Sequence, residues 1–341
     1  IAIRQFIIRF FFIIFVFLLI KSKVDYVNYM RMQVGLNVLI AIINYQSLRK
    51  LITIDSNIYK NLDLRKHLRP LLYLFLTIFS ISVYLHFDTV LLGILADNES
   101  VGYYSSALKL TKLIIAVLGS ISVAMFPQMI NLYHNGGEEQ FERMVKQCYT
   151  LILSLSIPLV ILIMGSANDI ITLFLGDHFT RAILPLQITA PLITIVSLSG
   201  IFGFQVLSAL SKDKAILLSA IIGMIFSIIL SILLVPHYKE NGEAITILIT
   251  ELSVSLSFIY FSNKYFSLKG YGNIFLNQLF EAIPYIVIIF LVKYLIGYFI
   301  YRLIITGLLS LIWFCLMHFY LQPDNLFRNQ LMRLLNKNRT N

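Results

Sequence analysis

Apolar runs of about 17 to 25 residues recur from one end of this chain to the other, each long enough to cross a hydrocarbon core of roughly 30 Å as a helix. Nothing else restricts the fold so tightly, because a lipid interior offers the backbone no water and admits only helices and closed barrels. The barrel fails on period. Barrel strands alternate polar and apolar residues over segments of about ten, and no such repeat occurs here. Composition agrees, since 58% hydrophobic residues, 13% charged residues and a mean hydropathy of +0.83 lie far outside the soluble range. The chain reads as all-α, a polytopic membrane helix bundle.

About ten membrane helices are expected, at roughly 6–20, 27–45, 70–96, 101–130, 148–166, 183–210, 215–235, 244–262, 277–297 and 300–321. An even count puts both visible ends on one side of the membrane. The chain begins at Ile1 with only a few residues before the first span, which reads as part of a longer polypeptide.

Orientation follows the distribution of Lys and Arg among short loops. Arg49, Lys50, Lys60, Arg65, Lys66 and Arg69 make the segment after the second span the strongest cytoplasmic marker. Counting alternately from it, the loops with Arg143 and Lys146, with Lys212 and Lys214, and with Lys264 and Lys269 fall on the same side, as does the basic tail. The turn Asp97–Ser100 and the loops holding Arg181 and Lys239 fall outside. Lys21 and Lys23 disagree with this alternation, so the first hairpin is the least constrained part. The net charge of +10 is therefore mainly a topology signal, and with no single basic stripe a nucleic-acid partner is not expected.

Soluble-enzyme chemistry is absent from the motifs. The six histidines form no i, i+4 pair and have no carboxylate spaced for a zinc site, and neither a phosphate-binding loop nor a dinucleotide glycine fingerprint occurs. Cys148 and Cys315 fall near or within different spans and read as small packing residues. No catalytic residue, metal or cofactor is expected. A transporter is the default class, and the short external loops count against a membrane-embedded polymerase or glycosyltransferase.

The stretch HFDTVLLGILADNESVGYYSSALKLTK, residues 86 to 112, places His86, Asp88, Lys109 and Lys112 inside apolar runs. If the hairpin centres on the Asp97–Ser100 turn, Asp88 and Lys109 lie equally far from it, roughly 12 Å below the helix ends at about 1.5 Å per residue, and pair with each other. Lys112 is on the same face as Lys109 and is left as excess positive charge, while His86 lies near that level on the facing helix. An ammonium at mid-membrane costs about 2.5–3.5 kcal/mol on insertion scales, so two on one face imply a wet, cationic cavity. Snorkelling lysines and a purely structural pair are the alternative.

The same residues carry a resemblance. Phe87-Asp88, Leu91-Leu92-Gly93, the short acidic turn, Val101-Gly102-Tyr103-Tyr104, Ala107, Lys109-Leu110 and Pro127 form a pattern similar to the Wzx-type polysaccharide flippases of the multidrug, oligosaccharidyl-lipid and polysaccharide exporter superfamily. Leu173–Phe179 resembles an outer loop of that family's second lobe, and Asp25-Tyr26, Tyr29, Asn44 and Arg49-Lys50 resemble the end of its first. The resemblance implies a two-lobe exporter-type fold with the first lobe incomplete. Residues 1–46 would be its last two helices, 47–69 a basic cytoplasmic linker, 70–262 a complete six-helix second lobe, 277–321 an additional helix pair and 322–341 a basic cytoplasmic tail.

The function it implies is translocation of undecaprenyl-pyrophosphate-linked oligosaccharide across the bacterial inner membrane by alternating access, with no covalent chemistry. The matched basic position, Lys109, would meet the pyrophosphate with Lys112 and His86 beside it. Membrane lipid, a polysaccharide polymerase and a chain-length regulator are the implied partners. Two alternatives stay open: a cation-coupled small-molecule exporter, which calls for an acidic and aromatic cavity where the buried charges here are expected to lean basic, and the polymerase or glycosyltransferase.

Overall fold

In the computed structural model the described residues are 2–19, 25–49, 64–133 and 137–317. The basic linker falls largely outside them, and the tail 322–341 entirely so. By contacts the chain divides into two units, Ile1–His67 and Leu68–Asn341. The first holds α1 (Ala2–Leu19) and α2 (Tyr26–Arg49).

The second unit begins with the later part of α3 (Leu64–Leu95) and continues with α4 (Asn98–Asn131) and α5 (Glu138–Leu175). A single 3-10 turn (Asp177–Ala182) leads into α6 (Ile183–Thr189), α7 (Leu192–Ser199) and a π-helical stretch (Gly200–Leu207). Then come α8 (Asp213–Ser262), α9 (Tyr271–Glu281), α10 (Ile283–Leu295) and α11 (Phe299–Leu316). Every element found among the described residues is helical, as a lipid solvent requires.

The expected number of spans needs correction. Among the described residues six helices are long and apolar enough to cross a membrane, or seven if the bent pair Asp177–Thr189 and Leu192–Leu207 is one span. Two features account for most of the difference from ten. First, α8 enters that six once although it is two helices that meet at Lys239, where φ of 48° and ψ of -125° are not helical and the chain reverses. The Ser231 hydroxyl donates to Glu243 Oε1 at 3.2 Å, a contact that twelve residues of straight helix, about 18 Å, could not make. Two expected spans, 215–235 and 244–262, are thus the arms of one helical hairpin. Second, α2 carries Asn28, Arg31, Gln33, Asn37 and Asn44, which dilute its apolar character below that of a spanning helix.

The expected span 183–210 is broken rather than straight. Pro191 has no N–H to continue the ladder of α6, and the chain bends by 44° between α6 and α7. α6 and α7 are the centre of the second unit, packing against α4, α5 and α8. Leu186, Ile193, Ile201 and Phe202 are fully buried there with Ile152, Leu153 and Phe258 around them. Because lipid is as apolar as Leu, close packing rather than water exclusion holds such helices together. Gly223 lets Val254 approach across the α8 hairpin, and α10 and α11 lie on α5, where Arg302 forks onto the buried Asp169 with Nε to Oδ2 at 3.1 Å.

Candidate functional site

The site grows from the α3–α4 hairpin. Asp97 is the N-cap of α4, its carboxylate accepting from the Ser100 backbone N–H at 2.7 Å, so Asn98, Glu99 and Ser100 already belong to the helix. Together the Ser100 N–H and the Lys239 ammonium hold the Asp97 carboxyl well below the usual carboxylate range. Lys239 donates to Asp97 at 3.0 Å, and Arg181 forks onto Glu240 at 2.9 and 3.0 Å while stacking over Tyr103. The α3–α4 turn, the 3-10 turn and the reversal of α8 are thereby tied together at one end of the bundle.

The early start of α4 moves the hairpin's centre, and with it the partner of Asp88. The Tyr104 hydroxyl donates to Asp88 Oδ2 at 2.7 Å, which centres the hairpin near residue 96, and Thr89 bonds Oδ1 through both its backbone N–H and its hydroxyl. Asp88 is 1% exposed. Lys109 is exposed, and the expected Asp88–Lys109 pair is not among the ion pairs of the described residues. At the revised register Lys109 lies more than a helical turn past Asp88's level. His86 is exposed on α3 and does not line the cavity described next.

That cavity, of about 560 Å³, lies between α3, α4, α7, the π-helical stretch and α8. Its wall is almost wholly apolar: Ile81, Tyr84, Leu108, Ile115, Leu192, Val196, Phe126, Phe204, Val254 and Phe258 contribute to it. Lys112 reaches it as an exposed side chain, with Val123 and Phe204 also exposed beside it. Glu251, 6% exposed, stands in the wall. Gln205 donates Nε2 to the Ser122 carbonyl at 2.5 Å, crossing from the π-helical stretch to α4 and leaving Oε1 without a partner. Of the sequence candidates, then, only Lys112 lies at the cavity.

The buried charges do not lean basic. Asp88, Asp169, Glu240, Glu243 and Glu251 are buried, and no Lys, Arg or His is buried among the described residues. Lys109 and Lys112 keep their ammonium groups accessible because a long stem allows it, whereas a short carboxylate must find partners where it stands. Sequence reasoning passed over Tyr104, Glu243, Glu251 and Gln205. An acidic residue inside an apolar span was the available signal for Glu251, since such residues are rare and mark function by default, whereas Glu243 falls in the polar stretch between two expected spans. No comparable signal marked Gln205.

Residues 1–133 match the model of a family described as polysaccharide biosynthesis protein. The putative O-antigen transporter of Escherichia coli (strain K12) is 25% identical over 204 residues, covering 59% of this chain and 49% of the relative. The probable low-salt glycan biosynthesis flippase Agl15 of Haloferax volcanii is 24% identical over 158 residues, 46% of this chain and 33% of the relative. In these alignments the chain spans half or less of the relatives' length. The lipid II flippase MurJ in its inward closed conformation has a similar fold, with a TM-score of 0.58 at 20% identity over 75% of this chain and 56% of that one. The resemblance read from the α3–α4 hairpin to polysaccharide flippases holds, and the chain is a multi-pass membrane protein.

Proposed function

We propose that this chain, akin to the Wzx-type flippases of the polysaccharide exporter superfamily, supplies the second lobe and the additional helix pair of a transporter that moves a lipid-linked oligosaccharide across the bacterial inner membrane. Undecaprenyl pyrophosphate is the carrier that fits this reading, and alternating access between two lobes is its mechanism. The function changes no covalent bond. The observation that carries the proposal is the position of Lys112, an accessible cation at the edge of an apolar cavity. A lipid pyrophosphate brings about two negative charges into low-dielectric surroundings, where a cation attracts it far more strongly than in water. Lys109, one turn away on the same helix, adds to that positive field. Polymerase and chain-length regulator remain natural partners for such a step. Among the described residues, the acidic count in the core favours the cation-coupled small-molecule exporter as the second reading.

The test is complementation of a flippase-deleted strain with the whole polypeptide, scored by surface polysaccharide with protein abundance measured in parallel. Lys112→Ala is expected to keep normal abundance and lose export, and Lys112→Arg to retain much of it, because a mobile pyrophosphate reads charge more than shape. Full export by Lys112→Ala at normal abundance would show a lysine that merely snorkels.

A further inference from the structure

We infer that the cavity beside Lys112 is a groove for the carrier lipid's apolar chain where it adjoins the phosphate, and that the sugar stays outside it. This rests on the flippase reading above. The groove follows α4 from Leu108 to Phe126, which at about 1.5 Å per residue is a length of roughly 27 Å. Its 560 Å³ are thus long and narrow, the shape of an extended chain.

The lining excludes the sugar. An oligosaccharide carries a hydroxyl on most of its carbons, and each one buried without a partner costs free energy. Against that demand the wall shows little polar surface, with Ser122, Ser197, Ser199 and Ser208 in it. The Ser197 hydroxyl is bonded to the Ile193 carbonyl and the Gln205 amide nitrogen to the Ser122 carbonyl, and the Gln205 Oε1 and Ser199 hydroxyl are too few to meet an oligosaccharide. A hydrocarbon chain makes no such demand.

Charge then fixes which end of the lipid lies where. Lys112 attracts the phosphate at the accessible edge, and among the described residues no other Lys, Arg or His lines the groove to draw it further in. Val123 and Phe204, 73% and 54% exposed, make the open side of the groove apolar further along α4, so a chain slides in sideways while its head group stays with Lys112.

Two glycines make the groove testable without disturbing the packing. A Cβ added at Gly119 or at Gly200 meets nothing within 4 Å, so a larger side chain at either position grows into the empty groove. The whole polypeptide, purified in nanodiscs, is scored by native mass spectrometry for retention of polyprenyl phosphate, of the uncharged polyprenol and of phosphatidic acid. The unaltered protein is expected to hold polyprenyl phosphate about tenfold more strongly than either other lipid, and Gly119→Leu to lose about tenfold of that retention. Gly200→Leu, on the facing wall, provides the same measurement if Gly119→Leu fails to accumulate. Undiminished retention by the filled variants overturns the groove, and so does equal retention of phosphatidic acid, which marks a general lipid site. The two readings fail separately. Normal export with undiminished retention in Gly119→Leu removes the groove alone, whereas selective retention by a protein that restores no export in the deletion strain removes the flippase reading.

Discussion

A displacement of about two residues in one turn separates the expected role of Asp88 from the observed one. Reading Asp97–Ser100 as the turn treats four polar residues as loop, but Asp97 caps α4 and the other three are helix, so Tyr104 rather than Lys109 comes level with Asp88. The pair is a buried hydrogen bond to a carboxylate. Removing its donor leaves that carboxylate under-satisfied, a loss of about 1–3 kcal/mol. Tyr104→Phe is therefore expected to lower the thermal stability of the purified protein and its abundance, while Lys109→Ala leaves both near normal. Equal losses in the two variants would restore the Lys109 pairing. The sequence disclosed that Asp88 is special, because a carboxylate in an apolar run is costly, but it did not disclose the partner. Partner choice depends on helix register, which a capping side chain shifts by whole residues.

At the scale of elements, the spans were legible and the form of their breaks was not. Hydropathy located both arms of the α8 hairpin and the break between them, but not that the arms meet as tightly as they do at Lys239. The reversal needs Lys239 in left-handed backbone and a residue at 242 with no side chain. A Cβ built on Gly242 lies 2.6 Å from the Leu234 carbonyl oxygen, a backbone atom that cannot rotate away. Gly242→Ala is expected to destabilise the hairpin by about 1–3 kcal/mol, the usual cost of overpacking. Gly119→Ala, with open space around its Cβ, serves as the matched control and should be neutral. Thermal unfolding of the two variants in detergent makes the comparison, and equal midpoints would show that the α8 turn yields freely. The bend after α6 was half legible: Pro191 marked a break in the ladder, but a proline inside a helix, as at Pro127 and Pro158, need not divide it.

For the whole molecule, topology is the property on which the transport reading depends, and loop charge is its only source in the sequence. Counting Lys and Arg assigns the loops at Asp97, Arg181 and Lys239 to the outer face and those at Lys212 and Lys264 to the inner one. In the fold the first three are joined by the Asp97–Lys239 and Arg181–Glu240 ion pairs, while Lys212 and Lys264 stack on Tyr265 and Tyr260. Contacts group the loops, and labelling says which group faces outward. Single cysteines at Asn98 and Asn263, both exposed, settle that point. An impermeant thiol reagent applied from the outer face of the membrane is expected to label Asn98→Cys and spare Asn263→Cys until the membrane is broken, in a background where Cys148 and Cys315 are replaced by serine. The opposite pattern would invert the helices of the second unit, put the ion-paired turns on the inner face, and leave Lys112 nearer the inner leaflet than the outer one. A flippase with that orientation would have to capture its anionic head group from the other direction, so the labelling result constrains the mechanism as well as the map.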